Sequence, residues 1–206
     1  SGAIGRAENY LFIVDADGSI AVFNSNRAEQ RAGWTQFTSQ GSFHSVCVID
    51  TRVYAVVKFD KGDGTNKYFL CEFSNSFNTD LAKTYSGTNG VCCVSSDFGN
   101  GAVVDVVNGT FYLGSFTVSG GNVDVSSVDS SISSAEIGLK FDVTLKTNPI
   151  DAQVADGPLT GEFRTVQRVV LDLNNTLSVT VNNTNLIIRQ VTDDMSQPRN
   201  AVTGKQ

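Results

Sequence analysis

His44 is the single histidine of this chain, so a Ser–His–Asp triad or a histidine-based metal site would have to be built around it. Its neighbours Phe43 and Ser45 predict the start of a β-strand. We therefore expect His44 at a core or sheet-edge position. The GxSxG, HExxH, P-loop and GxGxxG motifs are absent from the sequence, which argues against hydrolase, protease and nucleotide-binding chemistry.

Two acidic stretches that contain glycine could bind calcium. Residues 15–18 read Asp-Ala-Asp-Gly, and residues 60–64 read Asp-Lys-Gly-Asp-Gly. An EF-hand loop needs further oxygen ligands and a distant glutamate at fixed spacing, which Phe23 and Asn24 do not supply. We interpret the first stretch as a hairpin turn and the second as a loop, and we predict no metal site.

The four cysteines could form a disulfide or bind a metal, but their positions favour burial as free thiols. Cys47 and Cys71 lie inside apolar strand-like runs, where free cysteine behaves as a small hydrophobe. Cys92 and Cys93 are adjacent, so a strand would point them to opposite faces. Free thiols fit a protein that is assembled in a reducing cytoplasm.

Arg164 and Arg168 are the candidate contact residues of this sequence. If the run from residue 162 to residue 173 is a regular strand, both arginines share one face with Val166 and Val170. Mixed arginine and valine faces are typical of edges and subunit contacts. A contact with a neighbouring subunit is the favoured interpretation, while exposure to solvent and contact with DNA remain alternatives.

Composition and charge exclude several classes of protein. The chain has 206 residues, of which 40% are hydrophobic and 17% charged, and its net charge is −6. The low charged fraction argues against a disordered chain. The negative charge gives no counterion-release affinity for DNA, although an acidic wall could still surround DNA without gripping it. No apolar run approaches the roughly 18 residues that span a bilayer, so we predict no membrane association.

Four short strand-like runs between residues 34 and 73 predict a β-meander, the unit from which a propeller blade is made. Small polar turns separate these runs, which are Trp34–Phe37, Ser45–Ile49, Arg52–Val57 and Lys67–Phe73. A propeller blade takes about 40–50 residues. Residues 1–73 therefore hold at most one blade and part of another, and they cannot close a propeller alone.

Further strands and turns are predicted along the rest of the chain. Asn108-Gly109 lies between two apolar runs and is a strong hairpin signal, because both residues tolerate positive φ. The other predicted elements are a hairpin over residues 9–23, a short helical turn within residues 24–33, and strands over residues 137–145 and 162–173.

These elements together predict an all-β fold, with an antiparallel, partly propeller-blade-like meander followed by one or two small sandwich-like or barrel-like modules. Three domains are expected. Residues 1–74 form the meander, residues 75–134 a small β module, and residues 135–206 a C-terminal β module with a polar tail.

The chain resembles the tail tubular B proteins of short-tailed bacteriophages, which are also called stabilisation or nozzle proteins. The meander of residues 34–73 carries part of this resemblance. The other similar stretches are the Phe-x-x-Asp-Leu join at 77–81, the β module at 101–116 with its Thr-Val-Ser-Gly-Gly turn at 117–121, the entry to the last module at 135–141, and the basic strand with Arg164 and Arg168 at 165–173. Lys140 stands where proline is common in this family, which is a departure.

The resemblance implies a structural tail component without catalytic residues or cofactors. Such proteins form a ring of identical copies, six in number, below the portal and adaptor. Double-stranded DNA leaves through the central channel without specific binding, and other tail proteins dock on the ring. The expected location is the phage tail of the virion, assembled in the bacterial cytoplasm.

A carbohydrate-binding or receptor-binding module of a phage tail is the alternative function. It would need exposed aromatic side chains on one face, but most of the candidates lie in apolar patterns that predict burial: Trp34, Phe37, Tyr54, Tyr68 and Tyr112. A propeller-type glycosidase is the least favoured hypothesis, because it needs two carboxylates held about 5–10 Å apart across a cleft.

Overall fold

The computed structural model describes residues 2–5, 10–26, 31–62, 64–147, 153–154, 157–158, 166, 168–176, 178–186, 199–200 and 202–205. Contacts between Cα atoms divide the chain into two compact units, residues 1–141 and residues 142–206. The strand pairings of the described residues are antiparallel, and these residues contain no helix. The predicted all-β class is therefore confirmed. Nothing in this described part could cross a membrane as a helix.

The strands of the first unit form three sheets. They are β1 Gly2–Gly5, β2 Tyr10–Val14, β3 Ile20–Asn26, β4 Arg31–Phe37, β5 Ser42–Ile49, β6 Arg52–Asp60, β7 Asn66–Glu72, β8 Asp80–Thr88, β9 Val91–Cys93, β10 Val103–Asn108, β11 Phe111–Thr117, β12 Asn122–Asp124 and β13 Ser134–Leu139.

The first sheet is the meander β1-β2-β3-β4, and the second sheet is the meander β5-β6-β7. The predicted hairpin of residues 9–23 is present as β2 and β3. The prediction that the Trp34 strand begins the second meander is wrong, because Trp34 in β4 pairs with Phe23 in β3. The ends of the segment predicted to hold a helical turn are paired strand residues, Asn24 with Gly33 and Asn26 with Arg31. Residues 27–30 lie outside the described part.

The third sheet has the order β12-β9-β8-β13-β10-β11 within this unit. Asn108-Gly109 forms the predicted turn between β10 and β11, with a positive φ of 63° at Gly109. Strand β13 pairs with β8 on one side and with β10 on the other. The sheet therefore brings together segments that are far apart in the sequence, such as Tyr85 and Ala135, which are directly paired.

The strand predicted over residues 137–145 ends earlier in the structure. Strand β13 stops at Leu139, and residues 140–147 contain no strand. The predicted domain boundaries fell after residues 74 and 134, whereas the contacts place one division, after Phe141. Residues 134–139 belong to the third sheet because β13 lies between two of its strands.

Two hydrophobic clusters form the core of the first unit, and β6 contributes to both. Ala55 packs with buried residues of the first sheet, including Ile20 and Val22. Val57 and Phe59 pack into the larger cluster, which is formed mainly by the third sheet. One strand with alternating inward residues thus joins the two meanders to the third sheet.

The second unit has short strands among its described residues. They are β14 Gln153–Val154, β15 Gly157–Pro158, β16 Asp172–Thr176, β17 Thr180–Val181, β18 Thr184–Asn185, β19 Arg199–Asn200 and β20 Val202–Lys205. Asn182 and Asn183 turn the chain between β17 and β18 with φ of 47° and 65°, the left-handed pair that a tight hairpin turn requires. The long strand predicted over residues 162–173 is wrong for residues 168–171, which are not in a strand.

Candidate functional site

A buried carboxylate, Asp97, lies at the junction of the second and third sheets. The Lys67 ammonium of β7 lies 3.0 Å from Asp97 Oδ1, and the Lys83 ammonium of β8 lies 3.4 Å from Oδ2. The Tyr85 hydroxyl of β8 donates a 2.7 Å hydrogen bond to Oδ2. The Ser96 hydroxyl donates a 3.0 Å hydrogen bond to the same oxygen. Two cations and two hydroxyls therefore surround one carboxylate.

This environment fixes the charge of Asp97. Burial alone would raise its pKa, since the side chain is only 6% exposed. Hydrogen bonds from Tyr85, Lys67 and Ser96, together with the charge of Lys67, outweigh burial and lower the pKa to about 2. Burial and the hydrogen bond to Asp97 raise the pKa of the Tyr85 hydroxyl. Asp97 is thus a permanent anion near neutral pH, which makes it a poor general base.

The Asp97 cluster joins two sheets. Lys67 belongs to β7 of the second sheet, whereas Tyr85 belongs to β8 of the third, and Asp97 follows β9. The next residue, Phe98, is fully buried, and its ring lies 5.8 Å from Phe59 and 6.4 Å from Tyr85. A polar residue and an apolar residue of one short turn therefore anchor both sheets. Sequence reasoning did not select Asp97, because the strand register, and no local motif, brings its partners together.

A second polar cluster lies where the chain enters β8. Glu136 Oε1 accepts hydrogen bonds from the Asn78 backbone N–H at 2.7 Å and from the Thr79 hydroxyl at 2.8 Å. Gly138 lies beside this segment, and a Cβ atom there would overlap the Asp80 carbonyl oxygen and the Thr79 side chain. The join at residues 77–81 therefore packs tightly against β13, and this packing needs glycine at position 138.

His44 and the first acidic stretch lie in a strand and in a turn, whereas Asp63 of the second acidic stretch lies outside the described residues. His44 is exposed at a bulge of β5, where its ring lies 6.1 Å from the Tyr68 ring. Asp17 accepts hydrogen bonds from the backbone and the hydroxyl of Ser19, so residues 15–18 form the predicted turn. No group of three or more histidine, cysteine or acidic residues with metal-binding geometry occurs within the described ranges.

The predicted burial of the cysteines is correct for one of them and wrong for two. Cys92 is buried, Cys71 is half-buried, and Cys47 and Cys93 are exposed. Cys92 and Cys93 do point to opposite faces of β9. Cys47 is exposed because it lies on the outer face of the second sheet, which no described strand covers.

Exposed aromatic and aliphatic side chains mark the surface of both meanders. Trp34 is 62% exposed, Tyr68 56% and Leu70 78%. The expectation that these aromatic side chains are buried is therefore wrong for Trp34, Phe37 and Tyr68. Apolar alternation predicted the strands that carry these side chains, but it could not tell a face that packs inside the chain from one that does not.

The two candidate contact arginines are only partly placed. Arg164 lies outside the described residues. Arg168 is exposed, as are Val166 and Val170, and it lies before β16. The strand face on which both arginines were expected is therefore not seen at residue 168, and their role in a subunit contact stays a prediction.

An open depression lies beside the loop between β6 and β7. Asp60 is the one carboxylate among the described residues that line it, beside Lys61, Asn100 and Leu139. A glycosidase of the common type needs two carboxylates. The described lining therefore does not provide a glycosidase site.

No protein-family model matches this chain, and no curated protein matches it.

Proposed function

We propose that this chain is a structural, non-enzymatic part of the tail nozzle of a short-tailed bacteriophage, and that it forms part of the conduit for DNA ejection. The proposal starts from the resemblance carried by residues 34–73 and by the later stretches up to residue 173. It is supported by the all-β architecture of antiparallel sheets joined by shared cores.

The observation that carries the proposal is the contrast between paired polar groups and uncovered apolar ones. In the described part of the chain, every buried side-chain nitrogen or oxygen has a hydrogen-bond partner. Large apolar side chains are exposed at the same time, and two of them, Tyr68 and Leu70, lie on one face of β7. Exposed apolar patches of this kind mark interaction sites, so the chain is better suited to assembly than to catalysis.

The proposed partners are further copies of the chain in a ring of six, together with other tail proteins. Double-stranded DNA passes through the ring without specific binding, in agreement with the net charge of −6. Assembly takes place in the bacterial cytoplasm, and the finished location is the virion tail.

Electron microscopy of the intact particle that encodes this chain tests the proposal. An antibody raised against the chain, labelled with gold, is expected to decorate the tail below the portal in purified virions. The control antibody recognises the major capsid protein and decorates the head. Virions that lack the chain, or gold confined to the head, would contradict the proposed function.

The arginine contact has its own test. The double variant Arg164→Glu, Arg168→Glu is expected to stop ring assembly, because reversed charges cannot pair with carboxylates of a neighbour. The control is the double variant Arg164→Lys, Arg168→Lys, which keeps both positive charges. Unchanged ring assembly of the double variant in size-exclusion chromatography with light scattering would remove the contact hypothesis.

Glycan or receptor binding remains the second candidate, and the exposure of Trp34 and Tyr68 favours it. A glycan array would reveal binding that is lost in Trp34→Ala or Tyr68→Ala and kept in Val128→Ala, an exposed position in the third sheet region. Absence of reproducible binding would reject the glycan-binding candidate and leave the nozzle proposal as the remaining one.

A further inference from the structure

Residues 140–147 have the sequence of a β-strand without being one. Phe141, Val143 and Leu145 alternate with polar residues, the pattern of a strand with one apolar face. In the structure this segment contains no strand, and the three apolar side chains are 50%, 84% and 84% exposed. A strand within a sheet usually buries its apolar face. The segment therefore has the sequence pattern of a strand but is not paired into a sheet.

Strand β7 is a sheet edge that matches this segment. It is the last strand of the second sheet and pairs with β6 and with no other described strand. Its outward side chains, Tyr68 and Leu70, are 56% and 78% exposed. An open edge with exposed apolar residues is a template for pairing with another chain.

The two elements agree in length and in pattern. Strand β7 has seven residues, and the alternating segment covers residues 140–147. An added strand would place Phe141, Val143 and Leu145 beside Tyr68 and Leu70 on one face. Such cross-strand pairs of aromatic and branched side chains each contribute roughly 0.2–1 kcal/mol to a sheet.

We propose that residues 140–147 of one copy of this chain add as a strand to the free edge of β7 in a second copy. The proposal rests on the ring function proposed above and deepens it by naming the contact between copies. The donating segment and the accepting edge are different surfaces, so the contact is head-to-tail. A head-to-tail contact closes into a ring when the rotation allows it, which is the assembly that a nozzle requires.

Disulfide trapping between two full-length chains tests this contact. Both chains carry Cys47→Ser and Cys93→Ser, which removes the two exposed thiols. One chain also carries Leu70→Cys and a tag that changes its mass. The other carries a single cysteine substitution at residue 141, 143 or 145. Two thiols remain. Burial and the charge of Asp80 raise the pKa of Cys71 to about 11, and burial raises the pKa of Cys92, so both thiols react slowly in the trapping reaction.

The alternation of a strand supplies the matched control. In the proposed strand, Asp142→Cys and Thr144→Cys would lie on the opposite face, and Val128→Cys is an exposed position elsewhere. We expect at least one of Phe141→Cys, Val143→Cys and Leu145→Cys to form the mixed dimer with Leu70→Cys about tenfold faster than all three controls, because disulfides form only at short Cβ separations. Equal rates at odd and even positions would overturn the proposal.

A second measurement covers variants that fold poorly or cross-link weakly. The double variant Val143→Asp, Leu145→Asp is expected to remain monomeric in sedimentation velocity, at concentrations where the unmodified chain associates. Association that persists in this variant would also overturn the proposal. The two proposals can fail separately. Gold labelling of the tail together with equal cross-linking rates would reject only the strand addition. Specific cross-linking of a chain that is absent from tails would reject only the nozzle function.

Discussion

One alternating sequence pattern runs from Ala135 to Leu145, and the apolar side chains are buried in its first half and exposed in its second half. In the first half, Ala135, Ile137 and Leu139 are 4%, 0% and 1% exposed. In the second half, Val143 and Leu145 are both 84% exposed. The pattern is the same, so the difference lies in the neighbours. Strand β13 lies between β8 and β10, whereas no described strand pairs with residues 140–147.

The comparison shows that an alternating pattern favours strand formation but does not determine which strand the segment pairs with. Where partners come from the same chain, the apolar face becomes core. Where they do not, the same face stays available for another molecule. The contrast can be tested at single positions.

The largest effect is expected at the centre of the buried half. Ile137→Ala removes a fully buried side chain from a packed cluster and should lower the free energy of unfolding by about 4 kcal/mol. Val143→Ala in the exposed half should change it by less than about 0.5 kcal/mol. Urea unfolding followed by tryptophan fluorescence measures both values, and equal losses in the two variants would remove the contrast.

A somewhat smaller effect is expected at Gly138, within the buried half. Gly138→Ala forces a Cβ against the Asp80 carbonyl and the Thr79 side chain, which should cost about 2.5 kcal/mol by overpacking. Gly33→Ala on the open edge strand β4 is the control, since nothing lies within 4 Å of its Cβ position. Thermal unfolding should show Gly33→Ala unchanged or stabilised by about 0.5 kcal/mol, and a neutral Gly138→Ala would contradict the close packing.

The Asp97 cluster extends the comparison to polar groups. In the folded protein the pKa of Asp97 is about 2, which lies below its usual value of 3.8. The ionised carboxylate therefore stabilises the fold above about pH 4, and this contribution is lost as the pH falls from about 4 to 2. The contribution is about 2 kcal/mol. Acid titration of stability should therefore be steeper for the wild type than for Asp97→Asn across that range. Parallel curves would show that the cluster contributes no pH-dependent stability.

The smallest effect is on chemical reactivity and leaves stability unchanged. Burial raises the pKa of Cys92, whereas hydrogen bonds with Ser95 lower the pKa of the neighbouring Cys93. A maleimide at pH 7 should label Cys93 at least about tenfold faster than Cys92. Peptide mapping by mass spectrometry distinguishes the two thiols by way of single Cys→Ser variants. Equal labelling would mean that β9 does not separate its faces as described.

Local features of the fold could be predicted from the sequence, and distant ones could not. The turn at residues 15–18 and the Asn108-Gly109 hairpin follow from the conformational preferences of a few adjacent residues. The pairing of Trp34 with β3, and the place of β13 between β8 and β10, depend on contacts between distant segments. No local preference distinguishes those partners from others.

The candidate site shows the same division. His44 lies in β5, as the strand signal of its neighbours Phe43 and Ser45 predicted. Asp97 carries no signal in its own neighbourhood, since its partners Lys67 and Tyr85 meet it only through the register of β7 and β8. The exposure of Tyr68 and Leu70 could not be predicted from the sequence either, because periodicity identifies the apolar face of a strand but does not show whether another element covers it.

The pairing of β8 with β13 has a consequence for the moment of synthesis. Tyr85 leaves the ribosome well before its partner Ala135. At about 5–20 residues per second, the delay is on the order of several seconds. During that interval the nascent β8 has only the short β9 beside it, and its apolar side chains remain open to chaperones or to faulty association. The two N-terminal meanders, whose strands pair with sequence neighbours, have no such waiting period.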